Sequence, residues 1–505
     1  MSASFSARGI VETAKSKVKA LTEGAPLPLL ITLGILSEMI YLLYFVRYLP
    51  LLRYYDEPGL DLGKVIGHAP QEGLFYLGIA TLLFALYSQA LQAIQASQDR
   101  RVLWAIAIFG LVFSITLLFV YPWGAADLFD YAISGKVLAH YHANPFAVAG
   151  TDFPNEPWTV YAPWAGTTVA YGSVWVLLAG LAYRLAGPDL LANLVAHKIM
   201  ALLFYWLAIA AIAATWQALD RQHLVAGVLF FAWNPLVLLE TMANGHNDVM
   251  MIALVLVALY LFLRQRRAWS LVALAASSLI KFTSVTLAPF FILAGLYDQA
   301  GLKRKARYLR ASLTAFILPI VLLMLPFWRG RDPLALGRRT RMFTTSLPTL
   351  IMAIAQLWTA QDRAMFIAQG VAAALLAAFG IYQMIQMRNS AQSLIKASFE
   401  MNFFYLAVSC SWFQPWYLVW LVGLGALCLQ QPQGQRAWLF SYVGFWNYFI
   451  YGFLWFWLSP ELQSLAIIQT LAMVMVIGPP LILWLWQARR GKSRRFASLP
   501  GTTKN

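Results

Sequence analysis

Apolar runs long enough to cross a bilayer recur from residue 27 to residue 487, and little polar chain separates them. A crossing takes roughly 20 apolar residues as a helix. Inside hydrocarbon every backbone N–H and C=O must be paired within the protein, which leaves helices or closed barrels. The runs are continuous rather than alternating, so the helix is selected. The expected fold class is therefore all-α: a polytopic membrane protein of about 12–14 transmembrane segments, with interfacial helices in a large outer loop. With 60% of 505 residues hydrophobic and 11% charged, no soluble domain of ordinary size fits between the spans.

Charge orients the chain. The formal net charge of +16 sits mostly in short loops, as the positive-inside rule requires of a membrane protein, so nucleic acid is not an expected partner. Residues 1–25 read as a basic cytoplasmic N-terminus without the cleavage pattern of a removed leader, and 488–505 as a basic cytoplasmic tail. Between them, 26–487 forms a single integral-membrane domain. Spans are expected at about 27–48, 73–96, 103–121, 197–218, 223–241, 247–264, 308–328, 363–387, 398–412, 415–430, 437–458 and 462–487. Parity places residues 122–196 outside. It also makes 171–187 and 344–361 interfacial helices, since counting them as spans would put the Arg264, Arg266 and Arg267 cluster on the wrong side. Residues 268–297 are flanked by basic residues at both ends, and 30 residues are too few for two crossings of roughly 20. They read as a hairpin that dips in and returns, with Lys281 near its tip. The two cysteines, Cys410 and Cys428, fall in apolar segments and imply no disulfide framework.

Within the outer loop, residues 121–146 carry the densest chemistry. Asp127 and Asp130 lie three apart at the expected start of a helix, hence on one face, with Tyr131 one turn from Asp127 and Lys136 further along. Two readings stand for this pair: an N-terminal cap with a favourable first-turn charge, or a carboxylate placed as general base. The block ends in the turn Asn144-Pro145-Phe146.

Ionisable residues in or beside the bilayer are functional candidates because burying them uncompensated is costly. Glu240 precedes a loop holding His246 and Asp248, which suit a sugar hydroxyl or a metal, or else a turn in which Asn247 or Asp248 caps the next helix. Lys281 suits an anionic headgroup or a structural ion pair. Glu400 has Lys396 one turn back as a partner. The outer loop 329–343 holds Arg329, Arg331, Arg338, Arg339 and Arg341 against Asp332 alone, contrary to the orientation rule. Arginine forks hold phosphate oxygens in pairs, so donor binding is one reading and plain attraction to lipid headgroups the other. Gln414 and Tyr417 sit among aromatics in residues 411–420, a composition shared by sugar sites and interfacial belts.

The order of these elements resembles the GT-C fold membrane glycosyltransferases, and among them the polyprenol-phosphomannose-dependent α-mannosyltransferases of bacterial cell envelopes. The resemblance is carried by Asp127, Phe129, Tyr131, Gly135, Lys136 and the Asn144-Pro145-Phe146 turn. Tyr171-Gly172-Ser173, Trp233-Asn234-Pro235, Gly245-His246-Asn247-Asp248, Lys281 and Pro415-Trp416-Tyr417 continue it. Lys136, Ser173 and Phe146 stand where that family more often has Arg, Pro and Tyr. The resemblance implies transfer of a hexose, mannose above all, from a polyprenyl-phosphate donor to a glycan or glycolipid acceptor. Transfer would occur with inversion, at the extracytoplasmic face of the inner (plasma) membrane. It implies Asp127 as base, with Asp130 beside it. Tyr131, Lys136, His246, Asp248, Lys281, Arg338, Arg339, Arg341, Gln414 and Tyr417 would bind donor and acceptor. No cofactor is required, although Asp127, Asp130 and His246 are of types that bind a divalent metal. The rival expectations are a lipid-linked sugar flippase or transporter, and a non-catalytic polytopic membrane protein.

Overall fold

The computed structural model describes residues 26–94, 97–328 and 341–497. They form the expected all-α membrane architecture, and among them the only β pairing is an isolated bridge between Pro50 and Val120. Among the described residues seven helices are long and apolar enough to cross a bilayer, eight if a bent pair counts as one span. The seven are α1 (Pro26–Val46), α2 (Pro70–Ala93), α3 (Arg100–Leu118), a 30-residue helix over Leu190–Leu219, and helices over Leu302–Phe327, Gln361–Gln386 and Leu465–Arg490.

Shorter elements fill the space between α3 and the 30-residue helix. Helix α4 (Asp127–Ala139) packs along α5 (Ser173–Ala186), which in turn packs on α6, the 30-residue helix. Helix α5 is the segment expected in the interface, and it has 14 residues. Gly135 of α4 faces the carbonyl of Ala179 so closely that any side chain there would collide with the α5 backbone. The missing Cβ is what lets the two helices meet at this distance.

The next apolar segment, expected as one span at 223–241, is broken. Helices α7 (Arg221–Ala232) and α8 (Pro235–Ala243) meet at an angle of 50°. Pro235 supplies no N–H and the Asn234 side chain caps α8, accepting from the amides of Leu236 and Val237 at 3.1 and 3.2 Å. The break leaves carbonyls at the end of α7 without helical partners, in a place where water cannot serve them. Neighbouring side chains do: Tyr87 donates to the Phe230 carbonyl at 2.6 Å, and Tyr205 to that of Ala232 at 2.5 Å. Residues Leu224–Ala232 of α7 are all buried, which explains why that stretch shows no polar face.

Helix α9 (Asp248–Leu263) lies against α6 and against α10 (Arg267–Ser278). The expected hairpin over 268–297 is present. Helix α10 ends at Ser278, a 3₁₀ turn covers Phe282–Leu287, and α11 (Ala288–Tyr297) returns. Lys281 sits in the break, extended, between the two arms. Its neighbour Leu279 is the contact for Gly172, where a Cβ would strike the Leu279 backbone. That close approach docks the start of α5 on the hairpin, with the amides of Gly172 and Trp175 donating to the carbonyls of Ile280 and Leu279 at 3.3 and 3.2 Å.

Beyond α12 (Leu302–Phe327), the second expected interfacial segment is α13 (Leu347–Ala355), followed by the long α14 (Gln361–Gln386). Neither segment expected to span at 398–412 and 415–430 is among the seven spans, the second because it is too short. Helix α15 (Ala391–Phe404) runs into a π turn that stops at Ser409, and α16 (Leu418–Gly425) has 8 residues. Helices α17 (Pro432–Phe449) and α18 (Leu465–Arg490) close the bundle. Glu400 of α15 does not pair with Lys396. Its carboxylate takes Arg436 at 2.5 and 2.9 Å and Gln433 at 2.6 Å, both from α17. The buried fork of Arg436 outcompetes an exposed lysine because its two terminal nitrogens donate to both carboxylate oxygens at once.

Candidate active site

Asp127 reaches its place through the chain that precedes it. The exits of α1 and α3 are tied together, with Leu51 donating to Phe119 and Tyr121 to Leu49, each at 2.7 Å. The buried Lys198 of α6 donates to the carbonyls of Leu118, at 3.2 Å, and Val120. Trp123 is buried just after this clamp, and Gly124 donates its N–H to Asn244 Oδ1 at 3.0 Å. The path into α4 is thus held from three directions.

Neither aspartate caps α4. The cap position is Ala126, and no side chain bonds the first-turn amides. The capping alternative for this pair is therefore set aside. Asp127 instead lines a cavity of about 650 Å³, where its Oδ2 accepts from the Tyr171 hydroxyl at 3.3 Å. Asp130 lines the same cavity. Its Oδ1 accepts the backbone N–H of Trp164 at 3.0 Å, while its buried Oδ2 has no protein partner. Burial pushes the Asp127 carboxyl up to about 6, with Lys281 pulling against it. Burial and then the Asp127 charge push Asp130 up to about 8. Asp127 is thus the more readily ionised of the two carboxyls, and its charge disfavours ionisation of the other.

The hairpin tip supplies the positive charge. Lys281 lines the cavity, with Nζ 2.6 Å from Asp248 Oδ2 and 4.5 Å above the Tyr417 ring. Asp248 is fully buried and receives the Trp420 indole N–H at 2.6 Å through its other oxygen. Gln414, Trp416, Tyr417 and Trp420 complete that wall, and Tyr131, whose hydroxyl lies 3.3 Å from that of Tyr171, completes the opposite one.

Of the remaining expected residues, those among the described residues fall outside the cavity wall. His246 is buried behind it, its ring stacked on Trp416 at 4.0 Å, with Nδ1 3.9 Å from Asp127 Oδ2. Asn247 does not cap α9; both polar atoms of its side chain are buried and unpartnered. The structure does not bring Lys136 to the cavity. Its ammonium is committed to Glu156 at 2.8 Å and lies 4.1 Å over the Trp158 ring, tying α4 to the loop that follows. Arg338 and Arg339, with Arg329 and Arg331, lie outside the described residues. Arg341 is exposed and is not part of the cavity wall, although the next residue, Met342, is. At the other end of that stretch, Asn144 donates to the Phe327 carbonyl at 2.9 Å and its Oδ1 accepts the Phe146 amide at 3.0 Å. The Asn144-Pro145-Phe146 turn therefore holds the point from which the Arg-rich segment departs. Among the described residues no three His, Cys, Asp or Glu side chains are grouped to hold a metal.

Tyr171, Trp164 and Trp420 belong to the site and were not singled out as site residues from sequence. Tyr171 had a signal, the adjoining Gly172. The other two are tryptophans in a chain with 20, where composition points to interfacial belts.

Residues 55–296 match the family described as alpha-(1->6)-mannopyranosyltransferase, N-terminal domain. That region contains Asp127, Asp130, Tyr171, His246, Asp248 and Lys281. The chain is similar to alpha-(1->6)-mannopyranosyltransferase A of Corynebacterium glutamicum, 25% identical over 194 residues, which is 37% of this chain and 38% of that protein. It is also similar to alpha-(1->6)-mannopyranosyltransferase A of Mycobacterium tuberculosis, 22% identical over 249 residues, 48% of this chain and 47% of that protein. The matches thus span less than half the length of these curated relatives. No solved structure matches the chain. Over residues 55–296, just under half of its length, the chain is similar to the alpha-(1->6)-mannopyranosyltransferases.

Proposed function

We propose that this chain is a polyprenyl-phosphate-sugar-dependent glycosyltransferase that moves a hexose, mannose in the first instance, onto a glycan or glycolipid acceptor. Asp127 is the general base. It takes the proton of the acceptor hydroxyl as that oxygen attacks the anomeric carbon, and its negative charge steadies the oxocarbenium-like transition state. The bond to the lipid phosphate breaks on the opposite face, so the configuration inverts. Lys281 meets the charge that develops on the leaving phosphate, assisted by the Arg-rich segment next to Met342. Gln414 and Tyr417 contact sugar hydroxyls and ring faces. The residues named carry the chemistry without a cofactor, and the site faces the extracytoplasmic side of the inner membrane.

One observation carries this reading. A carboxylate bonded to Tyr171 and an ammonium held by Asp248 line a single cavity of about 650 Å³, the size of a small-molecule site. A flippase has use for the ammonium but none for a carboxylate poised near neutrality. The test is a panel assay. Purified protein in lipid nanodiscs is given polyprenyl-phosphate mannose, glucose and arabinose in turn, with an α-mannoside acceptor. Mannosyl transfer with inversion is expected; no transfer from any donor would refute the reading.

A further inference from the structure

The loop that returns from α4 to α5 is built around a carboxylate that the mechanism above does not use. Glu156 is buried, and its two oxygens take three donors. Lys136 Nζ at 2.8 Å and the Trp158 amide at 3.0 Å bond Oε1, and the Tyr141 hydroxyl bonds Oε2 at 2.6 Å. The Lys136 ammonium, also buried, lies 4.1 Å over the Trp158 ring. Burial works against the Glu156 carboxylate, but these bonds outweigh it and hold the group below its usual value. From this knot the chain runs back along α4 toward the start of the helix. Tyr161 stacks on Phe129 with ring centres 5.8 Å apart, and the Trp164 amide donates to Asp130 Oδ1 at 3.0 Å. The Tyr171 hydroxyl then reaches Asp127 Oδ2 at 3.3 Å. Pro163, Trp164, Thr167, Thr168 and Tyr171 of this stretch line the cavity.

An ion pair is a poor choice if holding the loop down is all that matters. Two buried charges lose hydration that their attraction barely recovers, and an apolar pair of similar volume holds a loop as firmly. What the pair adds is direction. An apolar contact tolerates sliding, whereas an ammonium, a phenol and an amide converging on one carboxylate fix where residue 156 sits on α4. That register decides where Trp164 and Tyr171 fall, eight and fifteen residues further on. Each of their bonds favours the ionised form of the aspartate it reaches. The ionisable groups that face the two aspartates are Tyr131 and Tyr171, Lys281 from the hairpin, His246, Asp248 at the start of α9, and Tyr448 of α17.

We propose that Glu156 is a positioning residue for the two aspartates. Its bond to Lys136 sets the register of the 156–171 loop on α4, and so seats the Trp164 amide on Asp130 and the Tyr171 hydroxyl on Asp127. The inference rests on Asp127 being the general base. Neither Glu156 nor Lys136 lines the cavity, so both act through the loop and not on substrate. Lys136 is therefore a part of the site's frame, where its position on α4 suggests a donor ligand. The consequence is read in the pH dependence. Asp127 must be ionised to act as base, and a second charge on Asp130 opposes an anionic donor, so the pair limits activity from below and from above. When the register slips, each aspartate loses a donor that favours its charged form, and each then ionises at a higher pH.

The experiment compares the wild-type full chain in nanodiscs with a double variant, Lys136→Met with Glu156→Leu. The exchange removes the directional bonds, leaves the net charge unchanged and keeps the space filled, so the fold is expected to survive. Profiles of rate against pH are taken with heptaprenyl-phosphate mannose and an α-mannoside, and backbone hydrogen exchange over residues 161–171 is followed in parallel. Both limbs of the wild-type bell should move to higher pH by about 0.5–1 unit in the variant, the size expected for one hydrogen bond each, with donor Kd unchanged. Exchange over 161–171 should quicken while that of the spanning helices stays as in the wild type. Unmoved limbs in a folded variant overturn the proposal even where the thermal midpoint falls, because a merely structural pair gives that result. Wild-type exchange in the loop overturns it as well. Should the apolar pair not fold, Glu156→Gln, which loses the charge, is held to the same two readings. No transfer, or no bell, in the wild type would instead overturn the underlying reading and leave the exchange measurement to decide the register.

Discussion

The ammonium of Lys281 and the carboxylate of Asp248 meet at 2.6 Å across the gap between the hairpin tip and the start of α9. Asp248 is fully buried, and Lys281 is open only toward the cavity. Each residue therefore depends on the other, but in different ways. Lys281→Gln should weaken donor binding about tenfold or more, since a charge-assisted contact contributes roughly 1.5–3 kcal/mol. Asp248→Asn should chiefly displace and destabilise, because Lys281 loses the carboxylate that holds its ammonium in the cavity wall. Donor Kd and the thermal midpoint of the two purified variants separate these effects.

The Arg-rich segment gives a second prediction. Its ends are fixed by Asn144 on Phe327 and by Met342 at the cavity. If its arginines clamp the donor phosphate, Arg338→Gln with Arg339→Gln should raise donor Kd well beyond tenfold, at roughly 1.5–3 kcal/mol per contact. Lysine at both positions should restore only part of the affinity because the planar fork is lost. Unchanged affinity would make the segment a headgroup anchor.

A backbone contact supplies the third. Gly172 lies against the Leu279 backbone, two residues before Lys281, and is itself next to Tyr171. Gly172→Ala should cost about 1–3 kcal/mol by overpacking and should lower turnover by parting Tyr171 from Asp127. Gly187→Ala, with open space at the Cβ but a left-handed backbone (φ +73°), should perturb stability without touching the site. Equal turnover losses in both would mean that Gly172 acts only through stability.

Much of this was legible in the sequence, because hydrophobic runs and basic loops report directly on what a bilayer tolerates. The hairpin around Lys281 followed from counting residues between basic flanks, and Asp127 with Asp130 from their spacing together with the family resemblance, since spacing alone left a cap or first-turn charge open. What did not show was which charges meet. Asp248 reads locally as a helix start, and only the fold carries Lys281, 33 positions away, and Trp420, 172 away, onto it. Lys136 shares a helix with Asp127, but a loop glutamate, Glu156, claims it. The shortness of α16 was likewise hidden, since an apolar run says how long a span can be and not where the chain turns.

The pH dependence follows from the aspartate pair. Asp127, at about 6, must be ionised to act as base, so kcat/KM should fall tenfold per unit as pH drops below that value. Asp130, at about 8, loses its proton above neutrality and places a second negative charge in a wall that must accept an anionic donor. A bell between about 6 and 8 is expected. Asp130→Asn should remove the upper limb and keep the lower, as pH-rate profiles of the two proteins would reveal.

The most direct test of the account is the transfer rate of purified Asp127→Asn protein beside Asp130→Asn, with donor affinity measured in parallel. Asparagine keeps the shape of Asp127 and still accepts from Tyr171, but it takes no proton at neutral pH. Neither side chain caps α4, so neither change removes a helix cap. Asp127→Asn should lose about 10²–10⁴ in rate with donor affinity retained, and Asp130→Asn should lose far less. Near wild-type turnover in the Asp127→Asn protein would contradict the mechanism. Loss confined to Asp130→Asn would move the base by one helical turn.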